Sequence, residues 1–205
     1  YLNKYQHTYE FIDNNMKIMT NTFQILKKYN KPFLFTSTQM SNMVHSPYGL
    51  LKLMGEKMTL SLDGLFVKLW NVYGVERDME KSHVITDFIL KAQTTNIIDM
   101  ISDGSELRQF LYANDCCDCL LTLSNLYSEL SRDEEYHISS FEWNSIMEIA
   151  EIVSSKINSS KIIAANSKDL VQKDMKNEPN TYILKYWQPQ TSIEEGIQKI
   201  IEEMK

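Results

Sequence analysis

The first part of the chain alternates between helical repeats of apolar side chains and short, continuously apolar runs. Apolar residues at three- and four-residue steps predict a helix from about Phe11 to Tyr29. An Asn-Lys-Pro sequence ends that helix, and the apolar run at residues 33–36 then predicts a buried parallel strand. A second helix is expected from Pro47 to about Leu62, because proline favours the first helical position.

The run from Leu65 to Trp70 predicts a second strand, so this part of the chain reads helix, strand, helix, strand. Such alternation is typical of an α/β fold with a parallel sheet. The later elements are shorter and mixed, which indicates a smaller second lobe. We expect helices at 84–94, 113–126 and 143–156, strands at 98–101, 136–138 and 161–164, a polar loop at 166–181, and a terminal helix opened by Ser192.

Composition narrows the class of protein and of partner. The net charge of -6, with only three arginines, argues against a general nucleic-acid binder, which needs a basic face. The sequence carries no signal peptide and no apolar run of membrane-spanning length, so we expect a cytoplasmic protein without a membrane partner. Cys116, Cys117 and Cys119 lie too close together for a disulfide framework or a paired zinc site, and no metal is expected.

Tyr48 and Lys52 are the first candidates for chemistry. They lie four residues apart on the predicted second helix and therefore share a face. An ammonium beside a phenol favours the phenolate, so Tyr48 could act as a base near neutral pH, and a hydroxyl from the Thr-Ser-Thr sequence at 36–38 could orient a substrate oxygen. This set suits the oxidation or reduction of a sugar alcohol with a nicotinamide. The spacing alone is expected about once by chance in a chain with this many tyrosines and lysines.

Six segments in a fixed order add specificity to this pair. They are Phe33–Thr38, Ser46–Lys52, Leu69–Gly74, His83–Ile85, Asp103–Asp115 and Trp187–Gly196. Their motifs include Ser-Pro-Tyr-Gly-x-x-Lys and Asn-Val-Tyr-Gly, the latter preceded by Lys68 at or near an arginine position. Together they resemble the extended short-chain dehydrogenase/reductase family, in particular the NAD-dependent nucleotide-sugar epimerases and dehydratases.

The resemblance implies a role for each residue that matches a family motif. Tyr48 would be the general base or acid, and Lys52 would lower its pKa and hold the nicotinamide ribose. Thr38 would bind the reacting sugar oxygen. Asn15 and Thr36 would lie beside the cofactor, which would be NAD or NADP.

Four further residues would bind a nucleotide-sugar substrate. By the resemblance, Asn71 and Arg108 would hold the diphosphate, and His83 and Val84 would lie beside the nucleotide. Two alternatives stay open, in which Asn71 is only a turn residue at a strand end and Arg108 is only a surface ion-pair partner.

The chain departs from the family pattern in its glycines. The six glycines are scattered and form no Gly-x-Gly-x-x-Gly loop for the cofactor's phosphates, and the family places that loop before the position of Tyr1. We therefore expect a partial Rossmann-like sheet and weak NAD binding by this chain alone. Residues 1–75 would be the C-terminal part of the NAD-binding domain, and residues 76–205 mainly a nucleotide-sugar-binding lobe, with segments returning to the Rossmann domain.

A second departure bears on the reaction. Gln39 and Met40 follow Thr38 where 4,6-dehydratases of the family carry an acidic pair, and neither side chain can shuttle a proton. The predicted function is therefore an NAD(P)-dependent nucleotide-sugar epimerase-type oxidoreductase that acts through a transient keto sugar. The alternatives are a non-catalytic nucleotide-sugar-binding or scaffold protein of the same fold, or a nucleotide-sugar reductase or dehydratase.

A homodimer is expected with either function. The helices around Met16–Leu26 and Leu50–Leu60 carry more apolar surface than one sheet face covers. The family pairs the corresponding helices between subunits, so the resemblance implies the same assembly here.

Overall fold

Helices and strands alternate in the first part of the chain, as predicted. The computed structural model describes residues 8–42, 46–78, 82–168 and 177–204. Helix α1 spans Tyr9–Tyr29, strand β1 spans Leu34–Thr38, helix α2 spans Pro47–Ser61 and strand β2 spans Leu65–Leu69. The predicted parallel pairing is confirmed, because β1 and β2 are adjacent and run in the same direction.

The rest of the chain forms shorter elements of both kinds. The strands are β3 (Asn71–Tyr73), β4 (Ile97–Asp99), β5 (Leu107–Arg108), β6 (Phe110–Tyr112), β7 (Tyr136–Ile138), β8 (Asn144–Ser145) and β9 (Lys161–Ile163). The helices are α3 (Val84–Thr95), α4 (Ala113–Asn125), α5 (Ile146–Lys156) and α6 (Ile193–Glu203), with 3-10 helices at Gln39–Asn42 and Tyr182–Lys185. The predicted α/β class with parallel strands is confirmed. None of the helices in the described ranges is long and apolar enough to cross a membrane.

The chain divides into two compact units, and each unit is assembled from three segments. The first unit takes residues 1–70, 119–138 and 177–188. The second unit takes residues 71–118, 139–176 and 189–205. The assignment of cofactor binding to one part of the chain and of substrate binding mainly to the other stays a prediction.

A three-stranded parallel sheet forms the centre of the first unit, in the order β1-β2-β7. The middle strand, β2, buries four consecutive residues from Leu65 to Lys68. Helix α2 packs on β1 and β2, and the 3-10 helix Tyr182–Lys185 packs on β7. Burial of consecutive residues is typical of a parallel strand with both faces covered.

A close approach fixes the distance between α2 and β1. A Cβ atom added at Gly55 of α2 would overlap Cζ of Phe35 in β1 and lie 2.8 Å from its Cε1. The Phe35 ring also meets the ring of Phe23 in α1, with 6.0 Å between the ring centroids. Only a glycine at position 55 allows the helix to lie this near the strand.

The second unit pairs its strands two by two. Strand β3 pairs with β6, and β4 pairs with β9, both in parallel, whereas β5 and β8 are antiparallel. Its core consists mainly of buried apolar residues from α3, α5 and α6. These include Ile85, Phe88, Ile89, Ile149, Ala150, Val153, Ile197, Ile200 and Ile201.

Helix α5 begins later than its apolar pattern predicts. The predicted start was Trp143, whereas the helix begins at Ile146. Ser145 and Glu148 form a capping box, in which the Ser145 side chain accepts from the Glu148 backbone N–H at 3.1 Å and the Glu148 carboxylate accepts from the Ser145 backbone N–H at 2.6 Å. Asn144 and Ser145 instead form strand β8, so the helix cannot extend further towards the N-terminus.

Replacing Gly55 by alanine tests the close approach of α2 to β1. Alanine is the better helix former by about 1 kcal/mol, so an isolated helix would gain stability. In this chain we expect the free energy of unfolding to fall by about 1–3 kcal/mol in urea denaturation, because the added methyl overlaps the Phe35 ring. Phe35→Leu removes the ring atoms that the methyl would meet, so the double variant should lose less than the two single losses combined. Stabilisation by Gly55→Ala, or strict additivity, would contradict the packing.

Candidate active site

The end of β1 and the start of α2 bring three predicted residues together in the first unit. Thr38 is the last residue of β1 and is buried. Tyr48 lies in the first turn of α2, and Lys52 follows one turn later, both half-buried. The helix starts here because Ser46 caps it, with its side chain accepting from the Gly49 backbone N–H at 3.1 Å.

Thr38 is held in a tight turn beside Tyr48. Its Oγ1 accepts from the Met40 backbone N–H at 3.3 Å, and its carbonyl accepts from the Ser41 hydroxyl at 2.8 Å. The Thr38 side chain also forms a hydrogen bond with Tyr48 that lowers the pKa of the phenol. The Thr38 hydroxyl is therefore close enough to Tyr48 to influence the pKa of its phenol.

The pKa of Tyr48 does not move in the direction predicted from Lys52. Burial raises the pKa of Tyr48 above its usual value, and the hydrogen bond from Thr38 lowers it by less. The Lys52 ammonium lies 5.9 Å from the centroid of the Tyr48 ring and donates to the Thr36 carbonyl at 2.8 Å. The direction predicted for the Tyr48 pKa is thus wrong, because burial raises this pKa by more than the Thr38 side chain lowers it.

The environment of Lys52 helps to explain why the pKa of Tyr48 is not lowered. Burial lowers the pKa of Lys52, since the ammonium is partly withdrawn from water. The ammonium also lies over the Phe35 ring, 5.1 Å from its centroid. One of its three N–H groups goes to the Thr36 carbonyl, which leaves two donors for another ligand.

The two remaining residues predicted to lie beside the cofactor are also in the first unit. Thr36 meets Lys52 through its backbone carbonyl, and its side chain is exposed. Asn15 lies on α1, where its side-chain amide donates to the Phe11 carbonyl at 2.8 Å. Cofactor binding by Thr36 and Asn15 stays a prediction.

Asn71 and Arg108, predicted to hold a diphosphate, belong to the second unit. The Asn71 amide donates to the Gln109 carbonyl at 3.3 Å, which ties the start of β3 to the residue before β6. Arg108 is half-buried, and its Nη1 donates to the Leu107 carbonyl at 2.8 Å. The contact of Asn71 agrees with the strand-end alternative, and the diphosphate role of both residues stays a prediction.

His83 and Val84 open helix α3 in the second unit. His83 is the N-cap residue and Val84 is the first helical residue. The backbone N–H of His83 donates to the Glu76 carboxylate at 2.8 Å, and the imidazole Nδ1 contacts the same carboxylate. Burial raises the pKa of Glu76, but hydrogen bonds from His83 and Thr86 together bring it below its usual range.

A row of polar side chains behind Thr38 was not predicted. Ser37, Lys68 and His137 are neighbours across β1, β2 and β7. The Lys68 ammonium lies 3.5 Å from the Glu56 carboxylate of α2 and 2.8 Å from the Glu135 carboxylate. A lysine within the apolar run of β2 was the available signal, because such a charge needs a buried partner.

Among the residues that the structure describes, no three or more histidines, cysteines, aspartates or glutamates come together as metal ligands would.

The chain resembles known proteins over most of its length. Residues 2–139 match the model of the NAD dependent epimerase/dehydratase family. A GDP-L-fucose synthase from Sinorhizobium fredii is 32% identical over 140 residues, which are 64% of this chain and 44% of that protein. A UDP-glucuronic acid decarboxylase 1 from Danio rerio is 26% identical over 137 residues, which are 66% of this chain and 32% of that protein. The chain thus spans less than half the length of these curated relatives.

Two solved structures show the likeness of fold. A dTDP-glucose 4,6-dehydratase from Bacillus anthracis in complex with NAD has a TM-score of 0.79 and 18% identity, covering 94% of this chain and 68% of that one. A UDP-glucose 4-epimerase from Thermotoga maritima with UDP-glucose has a TM-score of 0.78 and 18% identity, covering 91% of this chain and 67% of that one. The predicted Rossmann-like α/β class is therefore confirmed.

Replacing Thr38 by valine tests the contact between the two hydroxyl groups. Valine keeps the shape of the side chain but removes the hydrogen bond that favours the phenolate, so we expect the pKa of Tyr48 to rise further. The ring Cζ signal of Tyr48 in ¹³C NMR, followed as the pH is raised, reports this pKa. Thr59→Val is the matched control, because the Thr59 hydroxyl is buried on the same helix but donates to the Gly55 carbonyl. An unchanged or lower pKa in Thr38→Val would contradict the contact.

Proposed function

This chain belongs to the NAD dependent epimerase/dehydratase family, and we propose from this premise that it is part of an NAD(P)-dependent nucleotide-sugar epimerase-type oxidoreductase. The reaction would pass through a transient keto sugar. The observation that carries the proposal is the position of Tyr48 and Lys52 one turn apart on α2, with Lys52 donating to the Thr36 carbonyl of the strand that ends in Thr38. Hydroxyl, phenol and ammonium are the groups that proton transfer to or from a sugar oxygen requires.

Each of the three side chains has a separate task in this proposal. The Thr38 hydroxyl orients the sugar oxygen. The Tyr48 Oη gives its proton to the keto oxygen in the reductive half, and takes a proton from the sugar hydroxyl in the oxidative half. The protonated phenol, favoured by burial, is the form ready for the reductive half. The hydrogen bond from Thr38 stabilises the phenolate that the oxidative half needs.

The residues near Lys52 fit the nicotinamide end of the cofactor. Two N–H groups of the Lys52 ammonium remain for ribose hydroxyls after its bond to the Thr36 carbonyl. When bound, NAD or NADP would supply a hydride acceptor and donor. Asn15 and Thr36 would bind the cofactor near Lys52. The sequence has no Gly-x-Gly-x-x-Gly loop for the phosphates, so these residues account for only one end of the cofactor.

The turn after Thr38 favours epimerisation over dehydration. A dehydratase needs a proton donor and a proton acceptor beside the sugar carbons that lose water. Gln39 is buried and Met40 is half-buried, and neither can exchange a proton. The similar proteins include both a 4-epimerase and a 4,6-dehydratase, so the choice between them rests on these two side chains.

Binding of the nucleotide-sugar substrate is proposed for the second unit. Asn71 and Arg108 would hold the diphosphate, and His83 and Val84 would contact the nucleotide. The support is that all four side chains offer a donor or an apolar contact of the kind a nucleotide diphosphate needs. His83 is also exposed at the start of α3.

A non-catalytic nucleotide-sugar-binding or scaffold protein is the second candidate. One observation favours it: the pKa of Tyr48 is raised instead of lowered. Binding of a nucleotide sugar that is independent of NAD, without turnover, would support this candidate in calorimetry.

Tyr48→Phe tests the proposed enzyme. The chain is incubated with NAD or NADP and with UDP-glucose, UDP-glucuronic acid, dTDP-glucose and GDP-mannose, and products are separated by chromatography and identified by NMR. Removing the phenol hydroxyl should lower turnover about 100-fold or more, because proton transfer is lost. Tyr29→Phe is the matched control, since Tyr29 is exposed at the end of α1. Turnover by Tyr48→Phe equal to that of the control would rule out the proposed role of Tyr48.

The proposal includes a homodimer through α1 and α2. Both helices expose large apolar side chains, among them Ile18, Ile25, Leu50 and Met54. Contiguous exposed apolar surface is typical of an interaction site. A cytoplasmic location, expected from the sequence, stays a prediction.

Ile18→Asp tests the proposed dimer. We expect light scattering to report a dimer for the unaltered chain and a monomer for the variant, because a buried unpaired carboxylate at the interface is costly. Ile101→Asp is the matched control, since Ile101 is an equally exposed isoleucine of the second unit, at 69% against 66% for Ile18. A monomeric unaltered chain, or dimers of both variants, would contradict an interface through this part of α1.

A further inference from the structure

Thr38 lies between two residues that are tied to the same buried ion pair. On one side, the Ser37 hydroxyl donates to the Glu56 carboxylate. On the other side, the Lys68 ammonium donates to the side-chain oxygen of Asn42 at 2.5 Å. Lys68 and Glu56 lie 3.5 Å apart and expose only 1% and 3% of their side chains. The two ends of the segment 37–42 are therefore hydrogen-bonded to the same buried ion pair.

The ion pair also reaches the helix that carries Tyr48. Glu56 follows Lys52 by one turn and Tyr48 by two turns, so all three lie on one face of α2. Glu56 meets β1 through Ser37 and β2 through Lys68. The pair thus connects the strand that ends in Thr38, the helix that carries Tyr48 in its first turn, and the strand between β1 and β7.

Stability alone does not account for this arrangement. Two charges withdrawn from water cost more than an apolar pair of the same volume, and replacing a buried pair by apolar residues is often neutral or stabilising. The pair becomes explicable if its directed contacts hold neighbouring groups in one geometry. Asn42 supports this reading, because it is an exposed residue whose side-chain oxygen nevertheless accepts from the buried ammonium.

Lys68 contacts a second carboxylate, that of Glu135, which stays ionised at neutral pH. The Lys68 ammonium also donates to the Glu135 carboxylate at 2.8 Å, and the His137 imidazole lies 3.0 Å from the other oxygen of that carboxylate. The hydrogen bond from His137 lowers the pKa of Glu135 most, burial opposes it, and Lys68 lowers it further, to about 2. At neutral pH Glu135 is therefore an ionised partner of the Lys68 ammonium.

We propose that Lys68 is a positioning residue. Together with Glu56, it holds the Thr38 hydroxyl near Tyr48 through the hydrogen bonds to Ser37 and Asn42. The inference rests on the proposed function for its effect on turnover, but the geometry it describes is independent of turnover. Lys68 touches neither the substrate nor the cofactor in this proposal, and acts only through the position of Thr38.

Three variants separate positioning from folding. Asn42→Ala removes the hydrogen bond between Lys68 and the turn, at an exposed position, and leaves the ion pair intact. Lys68→Met removes the ammonium at similar length, and Lys68→Arg keeps the charge and the donors. Lys91→Met is the matched control, because Lys91 also bridges two carboxylates, those of Asp87 and Asp99, but lies in the second unit.

Two readouts are taken on the full chain. The first is NMR: the methyl signal of Thr38 and the pKa of Tyr48 from its ring Cζ signal. The methyl signals of buried Thr59 in the first unit and of buried Thr86 in the second unit are the references for folding. The second is the split between kcat and KM, for a nucleotide sugar from the panel above that the unaltered chain turns over.

The expected result is a local change without unfolding. Asn42→Ala and Lys68→Met should shift the Thr38 methyl signal and raise the pKa of Tyr48, with the Thr59 and Thr86 signals unchanged. Turnover should fall about 10- to 100-fold in kcat, because a displacement of about 1 Å at a reacting group costs that much, while KM changes less than about threefold. Lys68→Arg should recover most of the loss, and Lys91→Met should behave as the unaltered chain.

The two readouts fail in different ways. If the unaltered chain turns over no nucleotide sugar, the proposed function fails, and the NMR readout alone decides on positioning. An unchanged Thr38 signal and an unchanged Tyr48 pKa in Asn42→Ala would overturn the inference. If Lys68→Met unfolds, seen as loss of the Thr38 signal together with unfolding of the first unit, Asn42→Ala decides. A rise in KM with unchanged kcat would also overturn it.

Discussion

The buried ion pair of Lys68 and Glu56 is the constraint on which the candidate site depends. It lies where β1, β2 and α2 meet, and it binds Ser37 and Asn42 on either side of Thr38. Gly55, next to Glu56, allows the helix to lie against the Phe35 ring of β1. A directional polar contact and a steric contact thus act at adjacent positions, and together they set the distance from Thr38 to the first turn of α2.

Burial and proton transfer make opposite demands on the phenol of Tyr48. A phenol that is half-buried resists ionisation, and its pKa is raised accordingly. The hydroxyl of Thr38 supplies the opposing contact, and Lys52 is held by the Thr36 carbonyl instead of the phenol oxygen. Further positive charge or hydrogen bonding near the Tyr48 oxygen would lower this pKa. A nicotinamide cofactor and its ribose are groups of that kind, which is why the proposed function assigns Lys52 to the cofactor.

Long apolar patterns made the large elements predictable, and short or distant contacts did not. The repeat in α1 and the runs in β1 and β2 extend over enough residues to specify their type. Strands of two or three residues contain no period to be read: β4, β7 and β9 were predicted close to their positions, whereas β3, β5, β6 and β8 were not. At α5, the capping box of Ser145 overrides the apolar residue Trp143. The spacing of Tyr48 and Lys52 placed them on one face of a helix, but the pKa direction depends on burial, which spacing does not contain. The partners of Lys68 come from residues 42, 56 and 135, and no local pattern relates such distant positions.

The central claim is that the first unit carries the proton-transfer residues of a nicotinamide-dependent reaction on a nucleotide sugar. The most direct measurement mixes the chain rapidly with NAD and a nucleotide sugar and follows the near-ultraviolet absorbance of reduced nicotinamide in a single turnover. The account predicts a transient rise that decays as product forms, because the keto sugar and the reduced cofactor exist together. Binding of the nucleotide sugar, seen in the same experiment by quenching of tryptophan fluorescence, with no reduced nicotinamide at any time, would contradict it.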